Sequence, residues 1–481
     1  MLDSVVHHLK HTAEKRKGHE SDSEAHRLFR SVPGHERHGA KKTQHDVAGI
    51  VAPGQTGVIY VSDRAMKNGW SAGDPEWANF GQGAPEGMLK LLNSLVSHID
   101  GSSPRPDTIK LSDLSATYGS DVNEYAPTTG MRELREAVAK YYNETYRKGK
   151  QSQYTADNVC IVPGGRAGLT RVAAVVGDVF VCYSVPEYTS YDQLLSSFKR
   201  LVPIPTTLKE EDAYHLNVDN LAEMIHNMGI TCVFLSNPHN PTGQVIYGDE
   251  LKRMVEMARK GTTMILDEFY ESYVYDLGEG AKVSAAEYIE DVNQDNVILI
   301  NGMTKVVGPE SLIKALGQSG GFLDGGAPHP LQAAAIPLID PARFDGDRIA
   351  LQTLFRNKRD YVLKRLRDMG FVIKNPPTAT FYLWLDLSSL PKPLNSGLVF
   401  FEEALKEKVI VVPGQFFDLN PSHRRNLLDS PCEHFVRLSF GPPMPEIERG
   451  MDNLERLIKR VRKHVEEGTD LETVIGKDLK K

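Results

Sequence analysis

Short runs of β-branched residues alternate with longer amphipathic stretches from about Asn158 onward, and this alternation constrains the fold more than any other feature. Within residues 249–260, for example, Leu251, Met254 and Val255 recur at helical spacing. Alternating strands and helices predict βαβ units, in which helices cover both faces of a mostly parallel sheet. The predicted strands are residues 158–164, 179–184, 201–206, 231–238, 262–269 and 296–302.

The pattern changes after about Phe344, where a long helix is predicted from about Arg348 to Met369 and Gly370 provides its stop. Strands at 381–387, 409–414 and 434–440 and helices near 398–406 and 446–466 predict a smaller α/β domain with antiparallel strands. We expect five parts of the chain: a disordered arm (1–48), an N-terminal segment of the small domain (49–104), a large domain (105–345), a C-terminal small domain (346–470) and a tail (471–481).

Composition excludes several classes of protein. The net charge of −7 argues against a general nucleic-acid binder. No stretch approaches 18 uninterrupted apolar residues, so we expect no membrane span. The four cysteines are far apart and lack zinc-site spacing, which predicts buried, reduced thiols in a cytosolic protein without a metal site.

The first 46 residues carry eight of the sixteen histidines together with many charged residues. Three interpretations compete: a metal-binding tract, a transit peptide and a solvated, disordered arm. The acidic residues of this segment oppose a targeting signal, and its composition favours the solvated arm.

Ligands of parallel sheets bind at the carboxyl ends of the strands, so the residues after each strand are the first candidates for a site. The first strand continues into the glycine-rich segment 164–168, and a helix is predicted from about Leu169. Free backbone N–H groups at a helix start bind anions such as phosphate, and glycines allow close approach. A plain tight turn is the alternative explanation.

Two further strand ends carry groups suited to a planar ligand. Tyr188 could lie flat on such a ligand or simply pack at the rim. The segment 236–243 reads Ser-Asn-Pro-His-Asn-Pro-Thr-Gly, and its prolines hold the Asn240 amide in one orientation. A hydrogen-bond donor that faces a phenolate oxygen needs this rigidity.

Asp267 ends an apolar strand, where a carboxylate is costly without a partner. A protonated pyridine nitrogen is one partner, and a cap or a salt bridge is another. Tyr270 follows three residues later and could donate to a ring oxygen. Lys305, just after the last strand, is a Schiff-base candidate, although a single strand-end lysine is usually solvated.

Taken together, these residues resemble the class I/II aminotransferases, which are fold-type I enzymes that use pyridoxal 5'-phosphate (PLP). The resemblance covers about residues 75–465, and segment 236–243 closely matches the Asn-Pro-x-Asn-Pro-Thr-Gly signature of that family. It implies an α/β fold, with a mostly parallel seven-stranded sheet in a large domain and a smaller α/β domain. It also implies a cytoplasmic homodimer.

The resemblance assigns roles to the residues named above. Lys305 would form the Schiff base with PLP and move the proton between substrate Cα and cofactor C4′. Asp267 would pair with the ring nitrogen, while Asn240 and Tyr270 would bind the ring oxygen. Tyr188 would stack on the ring, and backbone groups of Gly165, Arg166 and Ala167 would hold the phosphate.

Three residues outside these strand ends also match the family. Arg437 would grip the substrate α-carboxylate as a bidentate fork. Tyr125 would reach the phosphate of a neighbouring subunit, which implies a homodimer with shared sites. Gly83 belongs to the segment 81–85, which resembles a loop that closes over the substrate.

The segment after Lys305 departs from the family pattern, which continues with Pro-Gly-x-Arg and a strand. No arginine occurs here between Lys305 and Arg343, and the segment is about ten residues shorter than the family pattern, with Val307-Gly308-Pro309 matching the end of the expected strand. Loss of a charge-assisted phosphate contact, worth about 1.5–3 kcal/mol, would weaken PLP binding about tenfold or more. We also expect the truncated strand to leave neighbouring ladder groups unpaired.

The sequence therefore predicts an aminotransferase that moves an amino group between an amino acid and a 2-oxo acid by ping-pong kinetics. The alternatives are a PLP-dependent lyase on the same fold and an impaired aminotransferase-like protein that lacks the post-lysine segment. No second arginine can be assigned to a distal carboxylate, so the substrate side chain is not predicted.

Overall fold

The computed structural model describes residues 57–81, 122, 124–198, 200–302, 305–421 and 430–475. The predicted N-terminal arm, the loop residue Gly83 and most of the predicted tail lie outside the described residues.

A seven-stranded sheet forms the centre of the molecule. The first strand of the described residues, β1 (Ala78–Asn79), lies outside this sheet. The sheet contains β2 (Val159–Ile161), β3 (Val179–Val185), β4 (Leu201–Thr207), β5 (Cys232–Ser236), β6 (Thr263–Asp267), β7 (Val297–Asn301) and β8 (Lys305–Val307). Its strand order is β2-β8-β7-β6-β5-β3-β4, and β8 alone runs antiparallel to its neighbours. The six predicted strands are confirmed, with their ends shifted by no more than three residues.

Helices cover both faces of this sheet, as predicted. The helices of the described residues are α1 (Gly57–Lys67), α2 (Arg132–Tyr146), α3 (Gly165–Val175), α4 (Ser190–Ser197), α5 (Val218–Met228), α6 (Gly248–Arg259), α7 (Glu310–Leu323), α8 (His329–Ala335), α9 (Pro341–Asp368), α10 (Gly397–Lys406) and α11 (Met444–Glu466). Helices α3, α4 and α7 share one apolar cluster with Ile298 and Ile300 of β7. Helices α2, α5 and α6 share the other with Val297 and Leu299.

Two predicted helix starts were wrong. Helix α3 begins at Gly165 and not near Leu169, so the glycine-rich segment forms the first helical turn. Gly164 precedes it with a φ of 108°, a conformation that glycine adopts at little cost. Helix α9 begins at Pro341, seven residues before the predicted start, because proline is favourable in the first turn of a helix.

The predicted truncated strand corresponds to β8, which leaves Val297 and Ile298 of β7 without a partner on that strand. Strand β8 is only three residues long, yet it pairs with all three residues of β2 and with the last three of β7. Because residues 302–304 alone separate β7 from β8, the antiparallel strand has to begin at Lys305. The backbone N–H and C=O groups of β2 therefore find hydrogen-bond partners on β8. Lys305 becomes the first residue of that strand.

A second set of strands follows the central sheet in sequence. Strands β9 (Tyr382–Asp386), β11 (Val412–Pro413) and β12 (Phe435–Ser439) form an antiparallel sheet, as predicted. Strand β10 (Val409–Ile410) instead pairs in parallel with β1, so the predicted strand 409–414 divides between two sheets. This pairing ties the segment before residue 104 to the C-terminal part, while the domain boundaries stay a prediction.

Two predictions from composition, on membrane spans and on cysteines, can be compared with the structure. No helix within the described ranges is long and apolar enough to cross a membrane. All four cysteines are buried and none is in a disulfide.

Candidate active site

A cavity of about 400 Å³ opens at the carboxyl ends of the central strands. It is lined by Val58, Gly165, Arg166, Leu169, Tyr188, Ser236, Asn240, Asp267, Phe269, Tyr270, Ile300, Asn301, Tyr382 and Arg437. Seven of the residues predicted for the site therefore meet in one place. Lys305 and Ala167 are absent from this lining, and Gly83 lies outside the described residues.

Asp267 forms the polar floor of the cavity at the end of β6. Its carboxylate accepts a hydrogen bond of 2.9 Å from the Tyr191 hydroxyl and one of 3.3 Å from the Phe269 N–H. Burial raises the pKa of Asp267 from its ordinary value of 3.8 to about 6, although these two donors oppose the shift. Such a carboxylate gains from a cationic partner, because a positive charge would favour its ionised form.

The segment 236–243 fixes Asn240 on the cavity wall. Its backbone N–H donates to the Ser236 hydroxyl at 3.1 Å, and its side-chain carbonyl accepts from Arg437 at 3.0 Å. Because the carbonyl faces the guanidinium, the amide nitrogen of Asn240 is directed away from Arg437 as a donor. The stiff loop thus presents the donor that the sequence predicted.

Arg437 on β12 brings a buried positive charge to the same cavity. Its second terminal nitrogen donates to the Gly81 carbonyl at 2.8 Å, and the guanidinium lies 4.1 Å from the Tyr382 ring centroid. Its Nε is buried without a hydrogen-bond partner among the described residues. A guanidinium with spare donors is suited to a carboxylate ligand.

Aromatic side chains form the remaining walls. The Tyr188 ring stands edge-on to Tyr191, with centroids 5.4 Å apart, and its hydroxyl accepts from the Arg166 guanidinium at 3.1 Å. The hydroxyls of Tyr270 and Tyr382 lie 2.9 Å apart, and burial raises both pKa values. Tyr270 therefore stays a neutral hydroxyl at physiological pH.

The start of α3 opens into the cavity beside Tyr188. A side chain at Gly164 or Gly165 would meet nothing within 4 Å, so the first helical turn is open to a ligand. The early N–H groups of a helix have no partner within the helix and attract anions. Arg166 adds a side-chain cation at this position.

A buried polar network lies behind the cavity and was not predicted from the sequence. The Glu187 carboxylate accepts from the Ser184 and Ser236 hydroxyls at 2.7 and 2.6 Å and from the Tyr188 N–H at 2.9 Å. His239 lies 3.3 Å from Glu187 and 2.8 Å from the Thr242 hydroxyl. The network joins Tyr188 to the loop that holds Asn240, and its members come from separate strands that no local pattern could connect.

Lys305 does not line the cavity, although its direct strand partner Asn301 does. Its Nζ donates to the Gly302 carbonyl at 2.8 Å and lies 5.7 Å from the ring centroid of Tyr142 in α2. Burial lowers the pKa of Lys305, which the carboxylates of Glu271 and Glu268 partly oppose. Lys305 is therefore not brought among the residues that line the cavity.

Tyr125 is 93% exposed and makes no contribution to the cavity of its own chain.

The sequence analysis did not predict several of the residues that line the cavity, among them Tyr382 and Phe269. Tyr382 belongs to an apolar strand that reads as core, so sequence alone gave no signal for it.

These residues fit PLP in part. The half-buried Asp267 carboxylate suits a ring nitrogen, the open start of α3 suits a phosphate, and Tyr188 can cover a ring. Lys305 is not among the residues that line this space, so the lining itself presents no lysine to the cofactor.

Comparison with solved structures defines the class of fold. The chain superposes on an aspartate aminotransferase of Thermus thermophilus with a TM-score of 0.66 and 19% identity, over 85% of this chain and 100% of the other. An aromatic aminotransferase of Pyrococcus horikoshii gives a TM-score of 0.63 and 22% identity, over 84% and 99%. The fold is therefore that of fold-type I aminotransferases.

The sequence places the chain within a family. The profile of the family "Aminotransferase class I and II" matches residues 92–454, so the chain belongs to the class I and II aminotransferases. It is 27% identical to an aspartate aminotransferase of Sulfolobus acidocaldarius over 70% of this chain and 83% of the relative. A probable N-acetyl-LL-diaminopimelate aminotransferase of Bacillus subtilis is 26% identical over 78% and 94%.

Proposed function

We propose that the cavity binds PLP together with an amino acid or a 2-oxo acid, and that amino-group transfer between these substrates is its function. The observation that carries this proposal is that a half-buried carboxylate, Asp267, and a buried guanidinium, Arg437, border one cavity. The carboxylate would hold the ring nitrogen of the cofactor in its cationic form. When bound, the cofactor supplies a conjugated ring that accepts electrons from the substrate Cα.

Arg437 would bind the α-carboxylate that amino acids and 2-oxo acids share. Its position between Asn240 and the Gly81 carbonyl fixes the plane of the guanidinium, as a bidentate contact requires. The amide nitrogen of Asn240 and the neutral Tyr270 hydroxyl would then donate to the ring oxygen of the cofactor. Tyr188 would cover the ring.

The start of α3 would hold the cofactor phosphate through backbone groups of Gly165, Arg166 and Ala167. The Arg166 guanidinium would add a charged contact where the family's post-lysine arginine is missing. Within the described lining, Arg166 and Arg437 are the only cationic side chains. No further cation there is assigned to a distal carboxylate.

A homodimer in the cytoplasm belongs to the same proposal. The nearly full exposure of Tyr125 supports its contact with the phosphate of a second subunit. Buried thiols at all four cysteines support a reducing compartment.

A panel of amino donors with 2-oxoglutarate as acceptor, followed by glutamate formation, tests the activity. Arg437→Lys keeps the charge but loses the planar fork, so KM for donor and acceptor should rise at least about tenfold, the size of one charge-assisted contact. Cofactor affinity should change much less. Arg449→Lys, on α11 with a hydrogen bond to the Trp77 carbonyl, is a matched control that should alter neither value. An unchanged KM for Arg437→Lys would refute the assigned role.

A further inference from the structure

We propose that Tyr382 is a positioning residue for both halves of the site: its hydroxyl directs Tyr270 toward the cofactor, and its ring holds the Arg437 guanidinium for the substrate carboxylate. This inference rests on the proposed function of the cavity. Tyr382 lines the cavity and is only 2% exposed, so the surrounding structure confines its side chain.

The strand pair β9 and β12 brings Tyr382 beside Arg437. Tyr382 pairs directly with Ser439, which lies two residues from Arg437 on β12. Side chains of directly paired residues, and of residues two apart on one strand, point to the same face of a sheet. Tyr382 and Arg437 are therefore diagonal neighbours on one face, and a register of five residue pairs keeps them together.

The hydroxyl of Tyr382 is directed at Tyr270. The two hydroxyl oxygens lie 2.9 Å apart, and neither has a second hydrogen-bond partner among the described residues. A tyrosine hydroxyl carries a single proton but can also accept through its lone pairs. When the Tyr270 proton is directed at a ring oxygen of the cofactor, Tyr382 therefore has to be the donor between the two hydroxyls.

This order gives a chain of hydrogen bonds from Tyr382 through Tyr270 to the cofactor oxygen. Donation by Tyr382 polarises the Tyr270 hydroxyl and strengthens the bond that Tyr270 donates in turn. Tyr270 would touch the cofactor in this arrangement, whereas the hydroxyl of Tyr382 acts through it.

The ring of Tyr382 lies against the guanidinium of Arg437, whose carbon is 4.1 Å from the ring centroid. An aromatic face attracts a cation at this distance. The guanidinium also donates to Asn240 and to the Gly81 carbonyl, so the ring and the hydrogen bonds together fix its plane. A fixed plane is what a bidentate contact with the α-carboxylate needs.

The role of the hydroxyl is tested with pyridoxine 5'-phosphate, which has the ring and phosphate of the cofactor but no aldehyde to react with a lysine. Tyr382→Phe in the full chain should weaken binding of this analogue about three- to tenfold, the size of one hydrogen bond. Tyr273→Phe is the matched control, because it removes a hydroxyl from the same aromatic cluster outside the cavity lining. It should change the dissociation constant by less than about twofold.

A double variant separates this role from a general loss of stability. With Tyr270→Phe in place, the hydroxyl of Tyr382 has no hydroxyl to act on, so the addition of Tyr382→Phe should weaken analogue binding no further. Additive effects of the two substitutions would overturn the chain of hydrogen bonds.

The role of the ring is tested by replacing Tyr382 with a phenylalanine that carries several ring fluorines. Compared with Tyr382→Phe, this replacement keeps a ring but weakens its attraction for a cation. It should raise KM for the 2-oxo acid acceptor about threefold or more with little change in kcat, because binding of the carboxylate is lost. The same replacement of Phe381, a buried neighbour of Tyr382, is the matched control and should leave KM unchanged.

The outcomes distinguish this inference from the proposed function. Unchanged analogue binding by Tyr382→Phe would overturn the role of the hydroxyl, and an unchanged KM with the fluorinated ring would overturn the role of the ring. In both cases, cofactor binding and amino-group transfer by the unmodified chain would leave the proposed function intact. A chain that binds neither PLP nor pyridoxine 5'-phosphate would overturn both.

Discussion

At the scale of single residues, the site is defined by two charges that lack a counterpart among the described residues. Asp267 has hydrogen-bond donors but no cation beside it, and Arg437 has a buried Nε without a partner in the described structure. Both arrangements cost stability in the empty protein. A ligand that supplies a cation at one end and a carboxylate at the other would relieve both costs.

The cost of ionising Asp267 in the folded protein predicts that Asp267→Asn changes the stability of the cofactor-free protein by an amount that depends on pH. Asp267 has a folded pKa of about 6 against an ordinary 3.8, so ionisation penalises the folded state progressively as pH rises between these values. At pH 7 the penalty is about 3 kcal/mol, at 1.36 kcal/mol per pKa unit. The substitution should therefore raise the free energy of unfolding by up to about this amount at pH 7, and by little at pH 4.

Asp324→Asn is a control that should change the free energy of unfolding in the opposite direction. The Arg171 guanidinium lowers the pKa of Asp324, so this carboxylate stabilises the fold at neutral pH and loses its effect in acid. Denaturant unfolding at pH 4 and pH 7 measures both variants. Equal effects of Asp267→Asn at the two pH values would contradict the assigned pKa shift.

At the scale of elements, the loop 236–243 connects the two sets of strands through Gly243. Gly243 has a φ of 72°, and a Cβ there would lie 2.4 Å from the Pro377 Cβ and 3.0 Å from the Tyr382 carbonyl oxygen. Its backbone carbonyl also accepts from the N–H groups of Thr378 and Ala379. The loop that orients Asn240 thus sits directly against the segment that precedes β9.

Gly243→Ala should therefore destabilise the protein by about 2 kcal/mol or more, because left-handed strain of about 1 kcal/mol adds to the steric contact. Gly248→Ala is the matched control, since Gly248 has a φ of 60° but open space around its Cβ. Gly248→Ala should lose only the stability that the left-handed backbone strain costs. Thermal unfolding of both variants measures the difference, and equal destabilisation would mean that the contact with Pro377 and Tyr382 does not matter.

At the scale of the whole molecule, the proposed dimer predicts complementation between two damaged chains. Tyr125→Ala would damage the partner's site, whereas Asp267→Asn would damage the chain's own site. In a refolded equimolar mixture half of the dimers are mixed and each has one intact site, so about a quarter of all sites should recover. Cofactor binding measures this recovery, and a mixture no better than the average of its parents would argue against a shared site.

Local patterns predicted most of the fold. The six strands and the residues at their ends follow from β-branched runs and from the signature at 236–243, since both depend on neighbouring residues alone. The start of β8 at Lys305 could not be predicted in this way, because it depends on pairing with β2, which is distant in sequence. The pairing of β1 with β10 and the Glu187–His239 network likewise depend on residues far apart in sequence.

Strand β8 has a further consequence for local opening. In the described sheet it is the only strand next to β2, so three residue pairs join β2 to the other strands. Such a short ladder opens at a lower free energy than the centre of the sheet, and its amides exchange hydrogen sooner. Because α3 follows β2 directly, opening of this edge would displace the helix start in the cavity. An anion bound there would therefore slow hydrogen exchange throughout β2 and β8.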